Sequence, residues 1–140
     1  MKNKINSLDF ARKMGAYSHG YSIKISDCKI IFTTGQVAMD QNGDVVSPNS
    51  VEEQVVYIYE LLNKILKQEG SSLNDVVKTT LYVTNMDDFP KISKIRNDYL
   101  KNSEPVSTLV EVSRLVKPEC KVEIEVIAVK YENKNESSNI

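Results

Sequence analysis

Pro105-Val-Ser-Thr-Leu-Val-Glu-Val112 and Lys121-Val-Glu-Ile-Glu-Val-Ile-Ala-Val129 are the two stretches that decide the fold of this 140-residue chain. Both are rich in β-branched and apolar residues, which predicts two strands, at about 105–112 and 121–130. Because side chains alternate along a strand, Glu123 and Glu125 share one face of the second strand with aliphatic residues. Two interpretations stay open for these carboxylates: a solvated face, or a cleft in which a carboxylate acts.

The clearest element before these strands is a helix that starts at Ser50. Ser50 and Glu53 have the spacing of a capping box, and Gly70 stands where a left-handed C-terminal cap belongs. The apolar residues between them recur at helical spacing: Val51, Val55, Ile58, Leu62 and Ile65. A second helix is predicted after the capping segment 85–88, with Pro90 in its first turn.

The other predicted strands complete an α+β pattern. Residues 21–25 and 28–37 are predicted to pair as a hairpin, and residues 76–84 are apolar enough for a central strand. The element order is therefore ββαβαββ. This order predicts a mostly antiparallel sheet with both helices packed on one face.

The chain is expected to form one domain over residues 1–140. Its hydrophobic fraction of 41% and charged fraction of 26% are ordinary for a globular protein. The core is expected at about 10–130. Both ends are expected to be loosely ordered, as an N-terminal lead-in over residues 1–14 and a polar tail over residues 131–140.

Charge and targeting signals narrow the function classes. A net charge of −1 and a pI near 5.9 give no electrostatic footprint for nucleic acid or an anionic membrane. The N-terminal residues lack the apolar segment of a signal peptide, and no apolar run is long enough to span a bilayer. Cys28 and Cys120 lie far apart without a metal-binding spacing, which is typical of reduced thiols in a cytoplasmic protein. The single histidine, His19, excludes a multi-histidine metal site.

Six motifs in register resemble the Rid (reactive intermediate deaminase) family, also called YjgF or L-PSP endoribonuclease, over roughly residues 10–130. The motifs are Gly15-Ala-Tyr-Ser-His-Gly20, Thr34-Gly-Gln-Val37, Gly70-Ser-Ser-Leu-Asn-Asp-Val-Val-Lys-Thr-Thr80, Asn85-Met-Asp-Asp-Phe89, Val110-Glu-Val-Ser-Arg-Leu115 and Val122-Glu-Ile-Glu-Val-Ile-Ala128. The resemblance implies a chorismate-mutase-like fold and a homotrimer with a ligand cleft at each subunit interface. Enzymes of this family hydrolyse reactive imines and enamines, such as 2-aminoacrylate, to the keto acid and ammonia without a cofactor or metal.

The resemblance also implies a set of site residues. The family's cleft tyrosine falls on Tyr17, and the glycine of its Ser/Thr-Gly-Gln segment falls on Gly35, where a backbone N–H can meet a ligand. The glutamate that positions or activates the attacking water falls on Glu123, in line with general-base chemistry. Ser107 and Thr108 fall on the segment that binds the substrate.

Ser107 is the main departure from the family pattern, because it falls where the family has a substrate-binding arginine. Arginine grips a carboxylate with two charge-assisted hydrogen bonds of about 1.5–3 kcal/mol each, whereas serine offers one neutral hydroxyl. Arg114 does not replace the missing arginine, since the family ordinarily has arginine at that position as well. The loop over residues 101–104 also looks shorter than in typical members, which would reshape the cleft rim.

His19 stands where the family usually has glutamine, and two interpretations stay open for it. A histidine beside the cleft tyrosine can titrate near neutral pH and take part in the chemistry. It can equally be a surface or hydrogen-bonded structural residue.

Three functions follow from these observations. The first is an imine or enamine deaminase, or a related hydrolase, with a specificity altered at Ser107. The second is a trimer that binds a small metabolite without turnover and serves regulation or protection. The third, ribonuclease activity, is disfavoured by the acidic pI, the absence of a basic patch and the single histidine.

Overall fold

One mixed sheet organises the protein. The computed structural model describes residues 1–132, and this part of the chain forms seven strands and two α-helices. The strands are β1 (Lys2–Ile5), β2 (Gly20–Ile25), β3 (Cys28–Thr33), β4 (Gln36–Val37), β5 (Val76–Val83), β6 (Val106–Glu111) and β7 (Val122–Tyr131). The helices are α1 (Val51–Lys67) and α2 (Phe89–Leu100), and neither has the length and hydropathy to cross a membrane.

The sheet has the strand order β1-β2-β3-β7-β5-β6, with the short β4 added beside β7. Strands β5 and β6 run parallel because α2 connects them, and the other pairs in the described chain run antiparallel. The predicted α+β class, with two helices and a mostly antiparallel sheet, is confirmed.

Helix α1 is stabilised at both ends as its sequence predicts. The Ser50 hydroxyl accepts a hydrogen bond from the Glu53 N–H at 3.1 Å. At the other end Gly70 adopts φ +72° and its N–H bonds to the Lys67 carbonyl, while the Ser71 N–H bonds to the Leu66 carbonyl. These two bonds form a Schellman motif, which requires the left-handed conformation that glycine adopts without strain.

The core lies between one face of the sheet and both helices. Alternate residues of β7 are buried against them, as period-two alternation predicts: Val122, Ile124, Val126 and Ala128. The helices contribute the other side of the core: Val51, Val55, Ile58, Tyr59, Leu61, Leu62, Ile65, Leu66, Ile92 and Leu100. Each buried aliphatic side chain stabilises the fold by about 1.5–3 kcal/mol relative to an exposed one.

Two predictions about the N-terminal half are wrong. The lead-in is not loose over its whole length, because β1 pairs antiparallel with β2, and Ile5 and Phe10 are each only 2% exposed. The predicted strand 28–37 is interrupted at residues 34–35, so that β3 ends before Gly35 and β4 begins after it. Of the predicted tail at residues 131–140, the part after position 132 lies outside the described residues.

The second face of the sheet, here called the open face, is not covered by either helix within residues 1–132. Strand register places on it the side chains that point away from the core. They are largely apolar: Tyr21, Ile23, Ile30, Phe32, Ile127, Val129, Tyr82, Val106 and Val110, with Glu123, Glu125, Thr80 and Thr108 among them. Phe32 is 39% exposed and Val106 67% exposed, so this face carries apolar surface in contact with solvent.

Candidate functional site

Glu123 lies on the open face near the start of β7, between two neighbouring strands. Val37 of β4 is its partner on one side and Tyr82 of β5 on the other. The pKa of Glu123 is raised above its ordinary value. Burial is the larger cause, and the negative charge of the nearby Glu125 is the smaller one. A partly buried carboxylate of this kind is suited to accept a proton from a bound water.

Gly35 is the residue that makes room for this carboxylate. A Cβ at position 35 would overlap the Glu123 Oε2 and lie 3.0 Å from its Cδ. The glycine is therefore needed for space beside Glu123, and its position between β3 and β4 explains why the strand is interrupted there.

The start of β7 is fixed by a buried glutamine of α1. Gln54 is fully buried, and its Nε2 donates to the Glu119 carbonyl at 2.9 Å. Its Oε1 accepts from the Lys121 N–H at 2.9 Å. These bonds hold the segment just before Glu123 against the helix, so the carboxylate projects from a rigid base.

Tyr17 is held above the same region by the segment that precedes β2. Its hydroxyl accepts a hydrogen bond from the Met14 N–H at 3.1 Å, and the side chain is 41% exposed. The Thr34 hydroxyl donates to the Ser18 carbonyl at 2.6 Å, and the Thr34 N–H donates to the His19 carbonyl at 2.9 Å. Residues 17–19 are thus tied to the strand break at Gly35.

These residues enclose a small cavity of about 150 Å³, here called the Glu123 cavity. Its lining consists of Ala11, Arg12, Met14, Tyr17, His19, Thr34, Gly35, Gln36, Val37, Met39, Val116 and Glu123. Four of the residues that the sequence singles out, Tyr17, His19, Gly35 and Glu123, therefore come together. The cavity is smaller than the roughly 300–1,000 Å³ of an ordinary ligand pocket. It has the size of part of a site rather than a whole one.

His19 lines this cavity while making structural contacts with both ring nitrogens. Its Nε2 lies 2.8 Å from the Ala11 carbonyl, and its Nδ1 accepts from the Ser7 N–H at 3.4 Å. The Phe10 ring packs edge-on at a centroid distance of 5.1 Å. One neutral tautomer, with the proton on Nε2, satisfies both contacts. These bonds favour the interpretation of His19 as a hydrogen-bonded structural residue that joins the N-terminal segment to the site.

Ser107 and Thr108 lie elsewhere, on the edge strand β6. Strand β5 lies between β6 and β7, so two strand spacings, about 10 Å, separate Ser107 from β7 across the sheet. Along the strand direction, Ser107 is also three residues away from the position of β6 that is level with Glu123. Leu109 packs toward the core, so Ser107 points to the helix side and Thr108 to the open face. One copy of the chain does not bring Ser107 or Thr108 to the Glu123 cavity.

Ser107 instead lines a second cavity of about 470 Å³, here called the α2–β6 cavity. Its other lining residues are Arg96, Asn97, Leu100, Lys101, Glu104 and Pro105. The two cations of this set were not singled out from the sequence. Nothing in the pattern of α2 marks Arg96 as a site residue, because its proximity to Ser107 follows from the parallel return of β6 beside α2.

Comparison with known proteins identifies the relatives of this chain. The family model described as endoribonuclease L-PSP matches residues 11–130. A RutC family protein of Pyrococcus abyssi is 36% identical over 119 residues, which cover 85% of this chain and 90% of that protein. A Mus musculus protein named 2-iminobutanoate/2-iminopropanoate deaminase is 34% identical over 109 residues, covering 78% of this chain and 80% of that protein.

The fold has close counterparts among solved structures. The crystal structure of a putative endoribonuclease from Thermotoga maritima superposes with a TM-score of 0.80 at 31% sequence identity. The match covers 93% of this chain and 98% of that one.

Proposed function

The chain belongs to the endoribonuclease L-PSP family, also known as the Rid or YjgF family, and from that premise we propose that it hydrolyses small imines or enamines to carbonyl compounds and ammonia. The observation that carries the proposal is the Glu123 carboxylate, partly desolvated and seated over Gly35 in a cavity beside Tyr17. The name of the mouse relative, an imine deaminase, supports the same reaction class.

In the proposed reaction Glu123 holds a water molecule and accepts its proton as the water oxygen bonds to the imine carbon. The imine nitrogen receives this proton from Glu123, and the product of the addition is a neutral carbinolamine. The hydroxyl proton of the carbinolamine then moves to its nitrogen as the C–N bond breaks, so that ammonia leaves, the carbonyl forms and Glu123 is again a carboxylate. An enamine first tautomerises to the imine, so one water and one imine give one carbonyl compound and one ammonia. Burial strengthens Glu123 as a base because desolvation raises its pKa.

Gly35 and Tyr17 have supporting roles in this proposal. The backbone at Gly35 can approach the substrate closely because no side chain intervenes. The Tyr17 hydroxyl, oriented by the Met14 N–H, can donate a hydrogen bond to the reacting group. Both groups are positioned before the substrate arrives, which lowers the entropic cost of reaching the transition state.

We further propose that the working form is a homotrimer with its sites between subunits. Two observations support this. The Glu123 cavity is too small for a whole site, and Ser107 and Thr108 lie away from it in the same copy. The open face is apolar and uncovered in residues 1–132, as expected of a surface that packs against other copies. A second subunit can supply the missing half of the site.

The proposal is tested by measuring keto-acid release from enzymatically generated 2-aminoacrylate. The protein is expected to release keto acid faster than the reaction in buffer does. Glu123→Gln is expected to lower the catalysed rate by about 10²–10⁴-fold, the usual contribution of a general base. Glu60→Gln, an exposed carboxylate on α1, serves as the matched control and should leave the rate unchanged.

Two results would contradict the proposal. The first is the absence of any acceleration by the unmodified protein. If a keto acid or imine analogue nevertheless binds and is recovered unchanged, the non-catalytic binding function is correct instead. The second is full activity in Glu123→Gln.

A further inference from the structure

The α2–β6 cavity has the size and polarity of a binding site for a small anion. Its volume of about 470 Å³ falls within the range of ordinary ligand pockets. Arg96 and Lys101 contribute positive charges and Glu104 one negative charge, so the lining is positive overall. The serine at position 107 is small and leaves the space between β6 and α2 open.

Arg96 forms no ion pair with a carboxylate in residues 1–132. Its Nη2 donates to the Ser93 hydroxyl at 3.0 Å and to the Asn97 Oδ1 at 3.3 Å, and both acceptors are neutral. Its Nε also donates to the Asn97 Oδ1 at 3.3 Å. The ion pairs found within the described chain involve other residues. The guanidinium is therefore available to pair with an anionic ligand.

The same contacts hold the Arg96 side chain in one place. Ser93 and Asn97 grip the guanidinium from its own helix, and its Cζ lies 6.0 Å from the centroid of the Phe89 ring. A half-buried, oriented guanidinium loses less conformational entropy on binding than a free one. Its planar set of donors matches the two oxygens of a carboxylate.

The C-terminal end of α2 carries the negative end of the helix dipole, which repels an anion. This repulsion is weaker here than at a helix end whose carbonyl groups are all free. The Leu100 carbonyl already accepts hydrogen bonds from the Ser103 and Glu104 N–H groups. Lys101 follows directly after the helix and adds a second, exposed cation to the cavity.

We propose that Arg96, assisted by Lys101, binds the carboxylate of the substrate in the α2–β6 cavity. These cations then provide the charged hydrogen-bond donors that Ser107 lacks. The substrates are small imines or enamines that carry a carboxylate. The assignment rests on the proposed function, because it requires the α2–β6 cavity of one subunit to face the Glu123 cavity of the next. Glu104, as the one carboxylate in the lining, limits the affinity for anions.

The test compares the binding of pyruvate, a keto-acid product, with that of pyruvamide, its neutral amide. Calorimetry should give pyruvate an affinity about ten- to a hundredfold weaker in Arg96→Gln than in the unmodified protein, the loss expected for a charge-assisted hydrogen bond. Pyruvamide binding should be unchanged. Glu104→Gln should strengthen pyruvate binding severalfold, because it removes the negative charge from the lining.

The matched control is Lys94→Gln, which removes an exposed cation from the same helix outside the cavity lining. It should leave the affinities for pyruvate and pyruvamide unchanged. Thermal melting should show that Arg96→Gln and Lys94→Gln are both folded. In turnover assays Arg96→Gln should raise KM for 2-aminoacrylate more than it lowers kcat.

Three results would overturn the assignment of Arg96: no pyruvate binding by the unmodified protein, undiminished binding by Arg96→Gln, or an equal loss in Lys94→Gln. The binding measurement does not depend on turnover. If the protein binds pyruvate through Arg96 but releases no keto acid from 2-aminoacrylate, the carboxylate site stands and the proposed reaction is wrong.

Discussion

At the scale of single residues, the pair formed by Glu123 and Gly35 explains the site most fully. The carboxylate occupies the space that a side chain at position 35 would take, and burial with Glu125 nearby raises its pKa. Neither residue is needed to fill the core. Both positions are therefore better explained by the chemistry of the cavity than by stability.

Gly35→Ala should remove activity without unfolding the protein. The new methyl group meets the carboxylate of Glu123, the flexible end of a side chain, so the carboxylate moves and the backbone stays. A displacement of about 1 Å in a catalytic group costs roughly 10²-fold in rate. Imine hydrolysis and thermal melting should be measured together. An active Gly35→Ala protein would show that the position of Glu123 over Gly35 does not matter.

Glu123→Gln should stabilise the protein at neutral pH while it removes activity. A carboxyl group with a pKa raised by folding costs stability when ionised, and this cost disappears as the pH falls through the raised value to the ordinary 4.5. The variant should therefore have a higher free energy of unfolding than the unmodified protein at pH 7, because it removes the ionised group.

Urea unfolding at a series of pH values measures this difference. The gain should shrink toward zero below pH 4.5. A variant that is less stable than the unmodified protein at pH 7 would mean that Glu123 is not held at an energetic cost.

Sequence reasoning identifies some of these residues and misses others for a physical reason. The period of two along β7 separates Glu123 from the core, so its place on the face opposite the helices could be predicted from the chain alone. Its place in a cleft is implied only by the family resemblance. Arg96 could not, because its place beside Ser107 depends on how α2 packs and on where β6 returns. That information lies in the tertiary arrangement that places both residues in the lining of one cavity, not in either local pattern.

At the scale of elements, the N-terminal strand is the largest difference between the predicted and observed structure. β1 reads Lys-Asn-Lys-Ile, with one apolar residue and no alternation, so local sequence does not indicate a strand. It forms because β2 offers an unpaired edge, and because Ile5 fills a space against Gly20 and Ile65. Gly35 within the predicted strand 28–37 indicates a bulge or a close approach to the backbone, but not the complete break into β3 and β4, because the Glu123 side chain that lies beside it comes from β7.

Ile5→Ala should reveal that this strand belongs to the core. Truncating a buried isoleucine leaves a cavity and should lower the free energy of unfolding by about 2–5 kcal/mol. Leu8→Ala is the control, because Leu8 is 94% exposed, and it should change stability by less than about 0.5 kcal/mol. Equal effects of the two substitutions in urea unfolding would mean that the first residues are as loosely held as their sequence suggests.

At the scale of the whole molecule, one face of the sheet is covered by helices and the other is not. The face covered by the helices could be predicted from the sequence, because the apolar stripes of the helices and the alternation in β7 are both visible as local patterns. The open face is equally apolar in sequence, so the chain alone does not say whether solvent or another copy lies against it. The proposed self-association through this face accounts for its apolar composition and for the separation of the Glu123 cavity from Ser107 and Thr108 in one copy of the chain.

Phe32→Lys should separate the subunits, because it places a charge at the middle of the open face. Sedimentation should show a monomer, and imine hydrolysis should fall with it. Leu8→Lys, at a 94% exposed position that belongs to no strand of the sheet, should keep both the assembly and the activity. A Phe32→Lys protein that remains an oligomer would place the interface elsewhere.

Whether each site is shared between subunits is decided by keto-acid release from 2-aminoacrylate in mixed trimers of two inactive variants. Glu123→Gln removes the base, and Ser107→Trp fills the α2–β6 cavity. If each site joins the two cavities of different subunits, then refolding the variants together in equal amounts should restore about a quarter of the unmodified activity, since a quarter of random interfaces contain both intact halves. A mixture no more active than the two variants measured separately would show that the sites are not shared between subunits.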